Sequence, residues 1–320
     1  MPCRAAALAV LGAMLVAGCD TGAGRELGDD DRIIGGEKID SRSAPWQVLL
    51  RTTDHAKQAK TVSCGGALVH PQWVLTTQEC VDGLDAGDIN VVAGTFYKKK
   101  KGASGWRTWG SSQPPKWKYR FAEQRDVAGL VVEEQAGTEL LDGPPAGVAL
   151  LKLDAPFTLG FHGEGDRARI EAIGLVDDPA LLEPGALAVM SGHGVTDEAD
   201  AEDSDAALEG GEDIAVSWLS WIVQEISGSS AKRIWAEGLE GEDTGWCSGD
   251  EGGPLVVEGP GGAPLLAGVA DHKDECNDLD VYVSVVPFAK WIRERTNAEA
   301  LGAHVLLDHF PVDPFSSAGA

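Results

Sequence analysis

The sequence predicts an all-β fold. Short apolar runs recur between turn signals from Ile33 to Val286, and 41 glycines suit a chain of closely spaced turns and bulges. In chain order, Gln47–Leu50, Cys64–Val69, Trp73–Thr77, Ile89–Ala93, Val148–Leu153, Leu187–Met190, Leu265–Ala270 and Val281–Val286 read as strands. Pro287–Arg295 reads as a terminal helix: a proline sits in its first turn, and Phe288, Trp291 and Ile292 share a face. With 320 residues, 43% of them apolar, the chain has enough material for one large β domain.

The ends read differently. Arg4 followed by an Ala-, Leu- and Val-rich stretch to residue 16 has the charge and length of an export signal and is too short to span a bilayer. Leu15-Val16-Ala17-Gly18-Cys19 resembles a bacterial lipoprotein signal, which implies lipid on Cys19; an ordinary secretory signal is the alternative. The expected organisation is therefore a signal over 1–18, a Gly- and Asp-rich tether over 19–32, a folded domain over 33–300, and a tail over 301–320 to which no structure is assigned. The expected location is outside the cytoplasm, lipid-anchored in a bacterial cell envelope.

The net charge of -25 favours solubility and disfavours nucleic acid as a partner. Charge is also segregated. Residues 98–120 hold eight basic side chains and no acidic one (Lys98, Lys99, Lys100, Lys101, Arg107, Lys116, Lys118 and Arg120), with Trp106, Trp109 and Trp117 between them. Residues 197–213 hold nine acidic side chains and no basic one. That acidic run lacks the spaced pattern of a calcium loop and reads as a solvated insertion. Of six cysteines, Cys3 leaves with the signal and Cys19 is the lipid site. Cys64, Cys80, Cys247 and Cys276 remain, an even number that reads as two disulfides with three pairings open. No CxxC or clustered histidine favours a metal, and no cofactor is expected.

Six blocks, Arg32–Gly36, Ser43–Val48, Cys64–Cys80, Gly147–Leu153, Cys247–Val257 and Val281–Ile292, together and in this order resemble the trypsin/chymotrypsin family. Arg32-Ile33-Ile34-Gly35-Gly36 resembles its activation site and Ser43-Ala44-Pro45-Trp46-Gln47-Val48 its first strand. Cys64–Cys80 (CGGALVHPQWVLTTQEC) resembles the block of the catalytic histidine, and Gly147–Leu153 (GVALLKL) that of the catalytic aspartate. Cys247–Val257 (CSGDEGGPLVV) resembles the nucleophile block and Val281–Ile292 (VYVSVVPFAKWI) the last strand and helix. The resemblance implies two six-stranded antiparallel β-barrels with a cleft between them, a C-terminal helix, and disulfides Cys64–Cys80 and Cys247–Cys276.

The same alignment implies that the chemistry is gone. Peptide hydrolysis of this kind needs a hydroxyl nucleophile, an imidazole base and a carboxylate that orients the imidazole. The three positions align with Glu251, Glu79 and Gly147. Ser248, three residues from Glu251, is a poor substitute at the cleft mouth. The base of the specificity pocket aligns with uncharged Gly245, whose neighbour Trp246 is large enough to fill a pocket. The substrate-pairing strand aligns with Asp271-His272-Lys273, where Lys273 obstructs the path a glycine would leave open. Arg32, Ile33 and Asp250 retain the family's activation arrangement, in which a new amine at Ile33 pairs with a buried Asp250. In one reading Arg32–Ile33 is cut, which would also sever the tether; in the other these residues persist as packing relics.

The sequence thus predicts an inactive serine protease homologue that binds or regulates a protein or envelope component, with residues 98–120 as a docking patch. One alternative is a hydrolase with unusual chemistry from Glu79 and Glu251, two carboxylates expected to face each other. The other is a decoy or cofactor for a related active protease, which would engage its partner at the old cleft.

Overall fold

The computed structural model describes residues 33, 36–54, 59–98, 118–120, 122–134, 147–163, 168–193, 219–240, 244–247, 249–271 and 279–296. A short strand, β1 (Glu37–Lys38), precedes the first barrel. That barrel takes β2 (Gln47–Asp54), β3 (Ala59–His70), β4 (Trp73–Thr77) and β5 (Ile89–Ala93) from one stretch of chain. A hairpin of β6 (Phe96–Lys98) and β7 (Lys118–Arg120) follows, and β8 (Glu123–Glu134) and β9 (Gly147–Leu153) complete the barrel. The closed order is β2-β3-β4-β9-β8-β5, antiparallel throughout.

The hairpin β10 (Gly160–His162) with β11 (Ala168–Ile170), then β12 (Gly174–Leu175), lead to the second barrel. Its strands are β13 (Leu187–Gly192), β14 (Ser220–Ser229), β15 (Arg233–Gly238), β16 (Pro254–Glu258), β17 (Pro264–Ala270) and β18 (Asp280–Ser284). They run β14-β13-β16-β17-β18-β15, and a β14–β15 pairing closes the ring. Strand β1 adds to β14, and β12 runs parallel beside β17. The all-β, two-barrel architecture is the one the sequence implied.

Among the described residues, three apolar clusters follow from this arrangement. Leu50, Leu68, Val91 and Leu151 fill the first barrel, and Met190, Ile222, Leu255 and Tyr282 fill the second. The third lies between them, where Trp46, Leu75 and Leu150 of the first half meet Val256, Val269 and Val283 of the second. Removing such side chains from water contributes roughly 1.5–3 kcal/mol each, which makes the barrel–barrel contact a core in its own right. Ser191 Oγ also donates to Gln47 Oε1 at 2.9 Å across this contact.

The C-terminal element begins later than the sequence pattern predicts. The last strand stops at Ser284, and Val286–Phe288 is a single 3-10 turn before the helix Ala289–Thr296. Pro287 has no N–H to extend the β ladder, so the run cannot continue through it. Phe288 and Ile292 enter the inter-barrel core and Trp291 packs against its edge, as their shared face predicted.

Candidate functional site

The segments that carry Glu79, Gly147 and Glu251 come together where the two barrels meet. Strand β4 ends at Thr77 and turns through Gln78 and Glu79 to Cys80. The Cys64–Cys80 disulfide pins this turn to β3, with a sulfur–sulfur distance of 2.03 Å. Strand β9 starts at Gly147 alongside, because Thr77 pairs with Val148 and the Gln78 N–H donates to the Gly147 carbonyl at 3.1 Å. The second half contributes the loop from Cys247 to Pro254, which leads into β16.

That loop is wedged against the first barrel. Gly65 N–H of β3 donates to the Glu251 carbonyl at 2.7 Å, and Gly252 N–H donates to the Ala270 carbonyl at 2.9 Å. Gly252 has φ +75°, and a Cβ there would lie 2.1 Å from Thr76 Oγ1 and 2.6 Å from the Gly65 carbonyl oxygen. Only a glycine satisfies both the left-handed conformation and the space. Thr76 Oγ1 itself donates to the Gly65 carbonyl at 2.9 Å, so the wall facing Gly252 is fixed.

The side chains at the three aligned positions are disposed as follows. Glu79 is exposed at the start of its turn. Gly147 is buried, and its missing side chain is replaced by a neighbour: a Cβ at 147 would lie 2.0 Å from Gln78 Oε1 and 3.0 Å from Gln78 Cβ. Gln78 therefore stands in the space a carboxylate at 147 would need, a coupling the sequence reading missed. Glu251 is half-buried, and its Oε2 accepts from Gly249 N–H at 2.6 Å. The carboxylate is turned back onto its own loop.

The region expected to be the specificity pocket is filled. Trp246 is wholly buried, with its ring 6.4 Å from that of Tyr282. Gly245 beside it is buried, and a charge lies close by that the sequence reading did not identify. Asp280, only 3% exposed, accepts from Trp246 N–H at 3.2 Å and from the Gln224 amide. Gln224 in turn accepts from the Tyr282 hydroxyl. Burial, then the charges of Asp280 and Asp250, push the Tyr282 hydroxyl well above its ordinary pKa, so it stays a neutral donor. Asp280 lies just outside the Val281–Ile292 block that resembled the last strand and helix, and its place immediately before Val281 was the signal available.

Asp271, on the strand expected to pair with substrate, accepts from Arg233 Nε at 3.0 Å. Ile33 and Asp250 are both fully buried. Ile33 packs in the second barrel's core with Trp246 and holds φ +60°, which is strained for a β-branched residue. Asp250 Oδ2 accepts from Cys247 N–H at 3.2 Å. Cys247 is disulfide-bonded. Cys19, Arg32, Ser248, His272, Lys273 and Cys276 lie outside the described residues, as do Lys99, Lys100, Lys101, Arg107 and Lys116. Among the described residues, no group of three or more His, Cys, Asp or Glu side chains is placed to hold a metal.

Two closed six-stranded antiparallel barrels with the loops of both at their junction define a chymotrypsin-like protein. The sequence matches the trypsin family over residues 33–292, and the chain belongs to that family. It is 25% identical over 288 residues to mouse (Mus musculus) vitamin K-dependent protein C, covering 85% of this chain and 54% of that protein. It is 24% identical over 272 residues to the rabbit (Oryctolagus cuniculus) protein of the same name, covering 82% and 52%. The chain thus spans about half the length of these curated relatives. Among solved structures, human heparin binding protein superposes with a TM-score of 0.54 at 20% identity, over 83% of this chain and 97% of that one, a likeness of fold.

Proposed function

We propose that this chain is a non-catalytic member of the trypsin family that acts outside the cytoplasm by binding a protein or an anionic envelope component. The observation that carries the reading is Glu251: the residue aligned with the nucleophile has no hydroxyl, and its carboxylate accepts from Gly249 N–H. Gln78 in the space beside Gly147 and buried Trp246 in the expected pocket support it. So does the choice of side chains, since an exposed Glu79 offers no neutral imidazole to act as base. The decisive experiment is mass-spectrometric profiling of a diverse peptide library with protein beginning at Ile33, beside a Glu251→Ala variant. No cleavage above the variant is the expected result. Cleavage that disappears in the variant would make Glu251 catalytic and establish the alternative of an unusual hydrolase using Glu79 and Glu251.

The docking surface in this reading is the basic stretch from Lys98 to Arg120. The pairing of Lys98 with Lys118 and of Phe96 with Arg120 in the β6–β7 hairpin brings its two ends together, which supports a single patch. Neutralising Lys98, Lys118 and Arg120 is expected to abolish salt-sensitive retention on a sulfated polysaccharide column. Retention that depends instead on residues of the old cleft would favour the decoy reading.

Lipid on Cys19 anchors the domain in this reading, and cleavage between Arg32 and Ile33 releases it. A membrane-bound product with a free Ile33 amine would refute the release step.

A further inference from the structure

We propose that Glu251 is an internal anion: its carboxylate permanently occupies the backbone anion site to which Gly249 N–H belongs. In acyl-transfer enzymes of this architecture, the negative oxygen formed during reaction is held by two backbone N–H groups, those of the nucleophilic residue and of the glycine two positions before it. Here those positions are 251 and 249. The Oε2–N distance of 2.6 Å is that of a short, charge-assisted hydrogen bond. Position 251 thus differs from a serine in two ways at once. The nucleophile is lost, and a full negative charge is delivered to the donor that would otherwise receive the substrate's oxygen.

The backbone leaves the carboxylate little choice. Gly249 has φ +92° and Gly252 has φ +75°, so left-handed residues flank the Asp250–Glu251 pair and turn the chain back on itself. Asp250 N–H donates to the Cys247 carbonyl at 3.0 Å within the turn. On the other side, the Glu251 carbonyl is held by Gly65 N–H at 2.7 Å. With both flanks fixed, the side chain of residue 251 starts from a defined point and direction, and two methylenes bring its carboxylate to an amide two residues back.

The consequence is a site closed to exogenous anions. Small carboxylates, and boronates that mimic the tetrahedral intermediate, meet an amide already engaged and a like charge beside it. This inference deepens the non-catalytic reading and relies on it only for its meaning, since the contact itself is independent of activity.

The test is nuclear magnetic resonance of the full chain labelled with carbonyl-13C serine and 15N glycine, which restricts the observed amides to the four Ser–Gly pairs, at 104–105, 191–192, 227–228 and 248–249; the Gly249 amide is the one whose coupled signal is lost in Ser248→Ala. In the native protein, that amide proton is expected far downfield and unmoved by millimolar acetate. In Glu251→Gln, which keeps shape and loses charge, it is expected to move upfield. In Glu251→Ala, acetate is expected to return it downfield saturably, with native affinity at least about tenfold weaker.

Unchanged Trp indole resonances verify folding in each variant. A Gly249 amide indifferent to Glu251→Gln, or native protein that takes acetate as readily as Glu251→Ala, overturns the proposal. Peptide cleavage together with the expected shifts would refute the non-catalytic reading and leave the internal anion standing. A silent amide with no cleavage would do the reverse.

Discussion

Gly147 and Gln78 should behave as one unit. In Gly147→Ala the new methyl meets Gln78 Oε1 at 2.0 Å, Cβ at 3.0 Å and Cδ at 3.1 Å. Relief requires the Gln78 side chain to swing out of its place, or the strands to part and lose the Gln78 N–H to Gly147 carbonyl bond of 3.1 Å. Overpacking of a buried position costs about 1–3 kcal/mol. In a Gln78→Ala background, Oε1 and Cδ are gone and only the 3.0 Å contact remains, so the same substitution should cost less than about 1 kcal/mol. The expected coupling is about 1–2 kcal/mol. Guanidinium unfolding of the four proteins of this cycle measures it, provided the slopes agree. A Gly147→Ala penalty that is the same with and without the Gln78 side chain would refute the reasoning. The triple variant Glu79→His/Gly147→Asp/Glu251→Ser should show no peptidase activity while Gln78 and Trp246 remain, because an aspartate at 147 meets the same obstruction.

Other consequences are directly measurable. Burial lowers the His193 pKa to about 3 from an ordinary 6.5, and the ring's Nε2 lies 3.1 Å from Thr95 Oγ1. Its folded pKa is depressed, so its contribution is complete above pH 6.5 and is lost as pH falls toward 3, at up to about 1.4 kcal/mol per pH unit. His193→Gln should flatten the acid side of the thermal-stability profile; equal slopes in both proteins would refute this. Gly252→Ala combines left-handed strain with a backbone clash and should cost about 2–5 kcal/mol in denaturant unfolding. A cost under about 1 kcal/mol would mean the loop is not wedged as described. Trp246→Ala should destabilise by about 3–5 kcal/mol, and a near-neutral result would show that the ring does not fill its site. Reducing Cys64–Cys80, which closes a separation of 16 residues, should remove about 3 kcal/mol by the chain-entropy estimate.

Much of the fold was legible because buried strands carry their own signal. All five residues of β5 are buried, and β9 is buried except at Lys152. Continuous apolar runs of this kind need no knowledge of partners to be read. Strand β8 was missed because only Val127 among its described side chains is buried, and glutamates stand at both ends. Strand β14 was missed because Gln224, Glu225 and the Ser-Gly-Ser segment look like a turn, although Gln224 is buried within a hydrogen-bonded network. The aligned positions at the site were legible one by one, through the residues around them. What fills them was not. Gln78 meets Gly147 only because β4 and β9 pair, and Asp280 meets Trp246 only because separate segments close the second barrel. Such contacts depend on the fold and leave no local pattern.

The bond from Gly65 N–H to the Glu251 carbonyl belongs to the peptide chain and is indifferent to the side chain at 251. The same is true of the bond from Gly252 N–H to the Ala270 carbonyl. Scaffold and loop are therefore inherited together, while the reactive group is a detachable fitting. A lineage in which hydrolysis ceases to matter can exchange that fitting and keep the loop's backbone contacts to both barrels. Recognition can then become the selected trait on a frame first shaped for turnover.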